Sequence, residues 1–214
     1  MTPPQETTSE PDRGARRKER TRRRLMDAAR ELFSRQGVEA TRIQEITDAA
    51  DVGFGSFYNH FADKNQIVEA VIDEMTELQA SAVDQLTAGL DDPAEVVSIA
   101  HRYFLRLAST DPIWGWLMIQ LDASHRLLAG TLAPRALRDL LAGVEAGRFS
   151  TADPILTINA SGGALLGATR AILEGSVAEN ADQHHAEMVL RMLGVPAAEA
   201  AEISQRDLPV PSAG

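Results

Sequence analysis

The chain has 214 residues, 44% hydrophobic and 24% charged, with a formal net charge of −10; this is the balance of a globular protein and excludes disorder throughout. With no Cys there can be no disulfide, thiol nucleophile or cysteine-based metal site, and a reducing, cytoplasmic setting is expected. No apolar run approaches the roughly 20 residues that span a bilayer, and the polar N-terminus MTPPQETTSEPDRG has no apolar stretch behind it, so neither membrane insertion nor secretion is expected.

Aromatics make up 5% of the residues while Ala and Leu are abundant, which favours helices and predicts an all-α fold. Residues 1–12, rich in Pro, Ser, Thr and Glu, are expected to form a disordered tail. From Arg13 to Arg24 (RGARRKERTRRR) eight basic side chains surround one acid, Glu19. Such a run on an acidic protein reads either as a solvated face or as an arm for a polyanion. Charge is uneven on a larger scale too: residues 1–64 carry a net +1 and residues 65–214 a net −11.

Leu25, Ala28, Ala29, Leu32 and Phe33 recur at helical spacing before Gly37, predicting a first amphipathic helix with a glycine stop. Thr41 with Gln44 three residues on resembles a capping box, opening a short helix through Ile43, Ile46 and Ala50. Asp51-Val52-Gly53 interrupts it, and Phe54 to Phe61 forms a third short helix with Phe57 and Phe61 inward. Asp63 and Gln66 cap a long helix through Ile67, Val71 and Met75 towards Leu86. Further helices are predicted over Ala94–Thr110, Pro112–Leu121, Ala123–Gly147 with a bend near Pro134, Pro154–Gly175 and Asp182–Leu193. That makes nine, or ten if Ala197–Ser204 folds; residues 205–214 are expected to be a mobile tail.

Two short helices joined by a three-residue turn and braced by a preceding helix form the layout of a helix-turn-helix DNA reader. Thr41, Ile46, Ala50, Val52, Gly55, Phe57, Tyr58, His60, Phe61 and Lys64 closely resemble the N-terminal signature of the TetR (tetracycline-repressor-type) family of transcriptional regulators, over about residues 17–70. Two positions depart from the pattern: Asp51 stands where the turn usually has Gly, and Gly53 where Ser or Thr usually caps the recognition helix. The resemblance implies a DNA-binding domain over residues 13–62 and a helical sensing and dimerisation domain over 63–204. It further implies phosphate contacts by Thr41, Tyr58 and Lys64 with His60 beside them. Tyr58 has a second reading as a half-buried core aromatic. Base reading falls to Phe54, Ser56 and Asn59, with Arg42 as a further candidate. Gly55 reads either as a close approach of backbone to DNA or as a turn requirement.

Beyond the reader no catalytic constellation stands out, so no enzyme and no cofactor is expected. Asp122-x-x-His125, Asp182-x-x-His185 and the pair His184-His185 near Glu187 only faintly echo metal-ligand spacing; no metal site is expected, and the two adjacent histidines are read as solvent-facing. Gly163, Gly167, Ala171 and Gly175, four apart, form a bare ridge. The resemblance places this ridge, with Met188, Val189 and Met192, at a homodimer interface; packing within the chain is the alternative. The resemblance places an effector pocket around Tyr103, Phe104, Leu107, Trp114, Met118, His125, Leu165 and Thr169, with Ile158 and Gly162 on the same helix face; the alternative reading of this aromatic stripe is core. The partners expected are double-stranded operator DNA, a small apolar effector and a second copy of the chain, with no membrane. The function expected is an effector-released repressor. The other class is a helical ligand-binding or enzymatic bundle that has lost DNA binding.

Overall fold

Among the described residues the helical spacings of the sequence become ten α-helices and one π-helical turn, with no strand. The computed structural model describes residues 13–120 and 128–209. Two compact units are present, one ending at Val71 and the other beginning at Ile72, so the division lies inside a helix.

In the first unit α1 (Arg13–Ala40) buries Leu25, Met26, Ala28, Ala29 and Phe33, one stripe of an otherwise polar helix. Its helical geometry breaks at Gly37, whose φ of 80° suits a residue without Cβ. The expected Thr41–Gln44 box does not form. The Thr41 hydroxyl donates instead to the Gly37 carbonyl (2.7 Å), closing the end of α1, and α2 (Ile43–Ala49) is capped one residue later by the Glu45 carboxylate, which accepts from the Arg42 N–H (2.8 Å). That bond, with Gln36 second, holds the Glu45 carboxyl below the usual range. Asp51 adopts φ 51°, the left-handed conformation that glycine takes without cost, and Arg24 binds both its carbonyl and its carboxylate at 3.0 Å.

The recognition element α3 (Phe54–Phe57) is a single turn, and Gly53 supplies no side-chain cap. Phe57 and Phe61 are buried with ring centroids 5.6 Å apart. α4 (Lys64–Thr87) opens as expected, with Asp63 accepting from the Gln66 N–H at 2.9 Å while Gln66 accepts from the Ala62 N–H.

In the second unit Asp92 caps α5 (Pro93–Thr110), and Asp111 caps α6 (Pro112–Gln120) by accepting from the Trp114 N–H at 3.0 Å. Of the helix expected over Ala123–Gly147, the first residues lie outside the described ones; from Leu128 a π-helical turn (Leu128–Leu132) runs into α7 (Ala133–Glu145). Pro134 lies in the first turn of α7, where its missing N–H leaves no bond unmade. α8 (Pro154–Leu173) is capped by Asp153 and stops before Gly175, whose φ is 66°. α9 (Ala181–Met192) packs on α5 and on α10 (Ala197–Gln205), so Gln205 closes a helix rather than opening a loose tail. Leu140, Phe149, Val189, Leu190, Leu193 and Ile203 form the apolar centre. Gly143 lies against it, because a Cβ there would collide with the Phe149 ring.

Candidate functional site

The helix-turn-helix presents a mixed surface. Arg42, Phe54, Gly55, Tyr58 and Asn59 are exposed, and Ser56, His60 and Lys64 are half-buried. Tyr58 keeps 52% of its surface despite edge contacts with Phe54 (5.6 Å) and Phe57 (5.4 Å), so its hydroxyl end is available while its ring is braced. Lys64 donates to the Glu39 carbonyl (3.2 Å). His60 titrates below the usual histidine range because of burial, with Lys18 and Arg22 adding repulsion. Thr41 is the exception among the expected contacts: it is 1% exposed and its hydroxyl already donates to Gly37, so it braces α1 against α2. Gly55 has no positive φ, and a Cβ placed on it would meet nothing within 4 Å, so neither a turn nor internal crowding requires glycine there. From Arg13 to Arg20 every side chain is exposed.

The second unit holds a cavity of about 510 Å³ between α4, α5, α7 and α8. Apolar walls come from Ala80, Val83, Phe104, Ile158 and Leu165. Its polar wall includes Arg135, whose Nε meets Asp84 at 2.8 Å and whose terminal nitrogen meets Glu77 at 2.6 Å; Arg138 bridges Asp84 (2.9 Å) and Asp139 (2.8 Å). Burial pushes the Asp84 carboxyl up, but hydrogen bonds from Arg135 and Arg138 outweigh it and hold the group below the usual carboxylate range. A second polar group is His101, whose Nε2 lies 3.1 Å from Ser161 Oγ and whose Nδ1 lies 3.0 Å from His185 Nε2. Burial lowers the two rings to about 3 and about 4, so both are neutral near pH 7.

Of the residues expected around an effector, Phe104 and Leu165 line this cavity, as do Ile158 and Gly162. Tyr103, Leu107, Trp114, Met118 and Thr169 lie outside this lining. Trp114 stacks on Phe104 (5.8 Å, 13° between planes), Tyr103 donates to Gln79 (2.6 Å), Met118 sulfur sits 3.6 Å from the Thr76 hydroxyl, and Thr169 is buried. Leu107 is half-buried and outside the lining. His125, with Asp122, lies outside the described residues. Sequence reasoning missed Asp84, His101, Arg135, Asp139 and Ser161. The available signals were Glu77 and Asp84 seven apart on one face of α4, and Arg135, Arg138 and Asp139 at three- and four-residue spacing on α7.

Reading His184 and His185 as a solvent-facing pair needs correction. His184 is exposed, whereas His185 is 4% exposed and bonded to His101, because adjacent helical residues point about 100° apart. The glycine ridge also changes. Gly163 and Gly167 are exposed with nothing within 4 Å of a Cβ position, and Ala171 is half-buried, but Gly175 lies past the end of α8, where its positive φ accounts for it. Met188 (62%) and Met192 (43%) are exposed, while Val189 belongs to the core.

Comparison with known proteins bears on these two surfaces. Residues 25–71 match the family model for bacterial regulatory proteins of the tetR family, and residues 92–206 match the tetracyclin repressor-like C-terminal domain. The crystal structure of RolR in complex with resorcinol is 43% identical, covers 92% of this chain and 100% of its own, and superposes with a TM-score of 0.83. Among curated relatives, the TcmR transcriptional regulator of Streptomyces glaucescens is 33% identical over 99 residues, 46% of this chain and 43% of its own. The probable acrEF/envCD operon repressor of Escherichia coli is 36% identical over 134 residues, 57% of this chain and 61% of its own. The matches thus span about half the length of these curated relatives. With a C-terminal model covering more than half of the chain and a full-length relative at 43% identity, the chain belongs to the TetR family of bacterial transcriptional regulators.

Proposed function

We propose that this regulator is a repressor that binds palindromic operator DNA as a homodimer and is released by a small, largely apolar aromatic compound carrying hydroxyl groups. The DNA reader is residues 13–62, with Tyr58, His60 and, just past its end, Lys64 on phosphates, Phe54, Ser56 and Asn59 towards base edges, and Arg42 at the start of α2. Gly55 supports this assignment, since glycine is used where the free chain has room for a side chain and a DNA backbone would take that room. The basic run Arg13–Arg24 acts as a phosphate tether. Residues 63–204 sense and dimerise, with Gly163, Gly167, Ala171, Met188 and Met192 at the two-fold interface.

The observation that carries the effector class is the cavity: apolar walls and a few placed polar groups, with a volume in the range that takes drug-sized ligands. RolR, the relative matched over its full length, has been crystallised with resorcinol. Asp84 and Arg135 are suited to a phenolic hydroxyl, which needs one acceptor and one donor. Ala80, Val83, Asp84 and Thr87 put α4 in the cavity wall, and the same helix begins in the DNA-reading unit, so an effector that displaces it acts on both.

The test is selection of DNA fragments by the purified chain, followed by titration with resorcinol. A recovered palindrome released by resorcinol supports the proposal. Coupling must be reciprocal: the factor that resorcinol removes from operator affinity is the factor operator removes from resorcinol affinity. Recovery of no palindrome favours the ligand-binding bundle that has lost DNA binding.

A further inference from the structure

The cavity has polar groups that the charged cluster does not account for. Asp84, Arg135 and Asp139 on α4 and α7 are tied to one another through Glu77 and Arg138, and with the capacity they keep they form one end of the effector site. His101 and Ser161, on α5 and α8, line the same space and form a chain that leads away from it: Ser161 Oγ, then His101 Nε2 at 3.1 Å, then His101 Nδ1 to His185 Nε2 at 3.0 Å. A hydroxyl offers one donor and two acceptor sites, and Ser161 spends one of the three on His101, so it retains hydrogen-bonding capacity on the cavity side.

Neutral imidazoles carry one N–H each, which allows two consistent arrangements. In the first, Ser161 donates to His101 Nε2 and His101 Nδ1–H donates to His185 Nε2; the Ser161 oxygen is then free to accept. In the second, His185 Nε2–H donates to His101 Nδ1 and His101 Nε2–H donates to Ser161; the serine hydrogen is then free to donate. Every bond in the chain is kept in both. Burial keeps both rings uncharged near neutral pH, so passage between the two arrangements moves no net charge.

We propose that Ser161, relayed through His101 to His185, is a second hydrogen-bonding end of the effector site, taking an effector oxygen as either acceptor or donor and so selecting aromatic ligands with two oxygen groups over those with one. This rests on the aromatic-effector reading above.

The experiment measures calorimetric affinities of the full chain for phenol, resorcinol and 3-hydroxybenzaldehyde. Phenol has one oxygen, resorcinol two hydroxyls that each donate and accept, and the aldehyde one hydroxyl and one carbonyl that only accepts. Ser161→Ala is expected to weaken resorcinol and the aldehyde by about three- to tenfold, the size of one net hydrogen bond, and to leave phenol unchanged. His185→Phe removes the partner of His101 Nδ1, which places the proton on Nε2 and fixes Ser161 as a donor; the aldehyde then gains on resorcinol by about threefold or more, and His185→Gln restores the original ratio. An unchanged ratio of two-oxygen to one-oxygen probes in Ser161→Ala overturns the proposal, and so does an equal loss for all three, which marks a packing role. Because Ser161→Ala removes a single oxygen, it decides the matter even where a His185 variant fails to fold. Failure of all three probes to bind the unaltered chain overturns the aromatic-effector reading and this proposal with it, whereas binding without the expected ratio change overturns this proposal alone.

Discussion

At the residue scale, similar-looking side chains divide by what they touch. Asn59 is exposed on the recognition turn, and Lys64 is half-buried with its ammonium on a carbonyl. Asn59→Ala is therefore expected to relax preference at one base pair, costing about 1–3 kcal/mol there, as read from the sequence logo of selected fragments. Lys64→Ala instead weakens all sequences alike and lowers the salt slope of binding by about one, measured by titrating operator at several salt concentrations. An unchanged slope removes Lys64 from the phosphate contacts.

Gly143 makes a contrasting case, a glycine set by packing. Its Cβ would meet three atoms of the buried Phe149 ring within 3 Å, and its carbonyl accepts from the N–H groups of both Arg148 and Phe149. The ring cannot withdraw without leaving the core. Gly143→Ala is expected to destabilise the second unit by about 1–3 kcal/mol, read from the urea midpoint. The same change at Gly55, where space is open, should leave that midpoint nearly unaltered and act on DNA binding instead.

At the scale of elements, α8 shows how one helix serves two neighbours. Ile158, Ser161 and Leu165 turn to the cavity, while Gly167 is exposed with open space around its Cβ position. A leucine at Gly167 fits within a single chain. Gly167→Leu is accordingly expected to fold with a normal midpoint yet sediment as a monomer and lose operator affinity in parallel, since overpacking of about 1–3 kcal/mol acts twice across a two-fold axis. A stable dimer from this variant would take α8 out of the interface.

Capping shows the same division at a finer grain. Asp63, Asp92 and Asp153 each accept an N–H at a helix start, and the local sequence pattern fits each of them. The α2 cap moved by one residue because Gly37, by ending α1, left a carbonyl within reach of the Thr41 hydroxyl.

For the whole molecule, the buried histidines set a pH dependence of stability with a definite sign. His101 and His185 have folded values of about 3 and about 4, below the 6.5 of an unconstrained imidazole. As pH falls below 6.5 the unfolded chain binds protons that the folded chain refuses. Their contribution is thus complete above about 6.5 and is lost progressively towards the folded values. The loss is at most about 1.4 kcal/mol per pH unit for each ring. Between about pH 7.5 and 6, well above the 4.5 of an ordinary Glu, the urea midpoint should fall mainly through histidines. Replacing both (His101→Leu with His185→Phe) should flatten the slope, leaving His60, lowered in the same direction, as a remainder. An identical slope in the double variant would show that the two rings titrate freely.

The helices, their stops and the family were legible in the sequence because each rests on local chemistry: apolar residues at helical spacing, Pro and Asp at helix starts, Gly where the chain turns left-handed, and a run of motif residues within about fifty positions. The all-α fold and the helix-turn-helix followed from these alone. The cavity did not, because its polar groups come from helices far apart in the chain. Asp84 meets Arg135 across 51 residues, and His101 meets Ser161 and His185 across 60 and 84. In the sequence each of these charged or polar residues reads as an ordinary solvated position. Trp114, Tyr103 and Met118 lie outside the lining of this cavity, with Trp114 stacked on Phe104, since helix spacing tells which residues face inward and not which gap the inward faces leave. That gap is set by how α4, α5, α7 and α8 pack, and only the tertiary structure decides it.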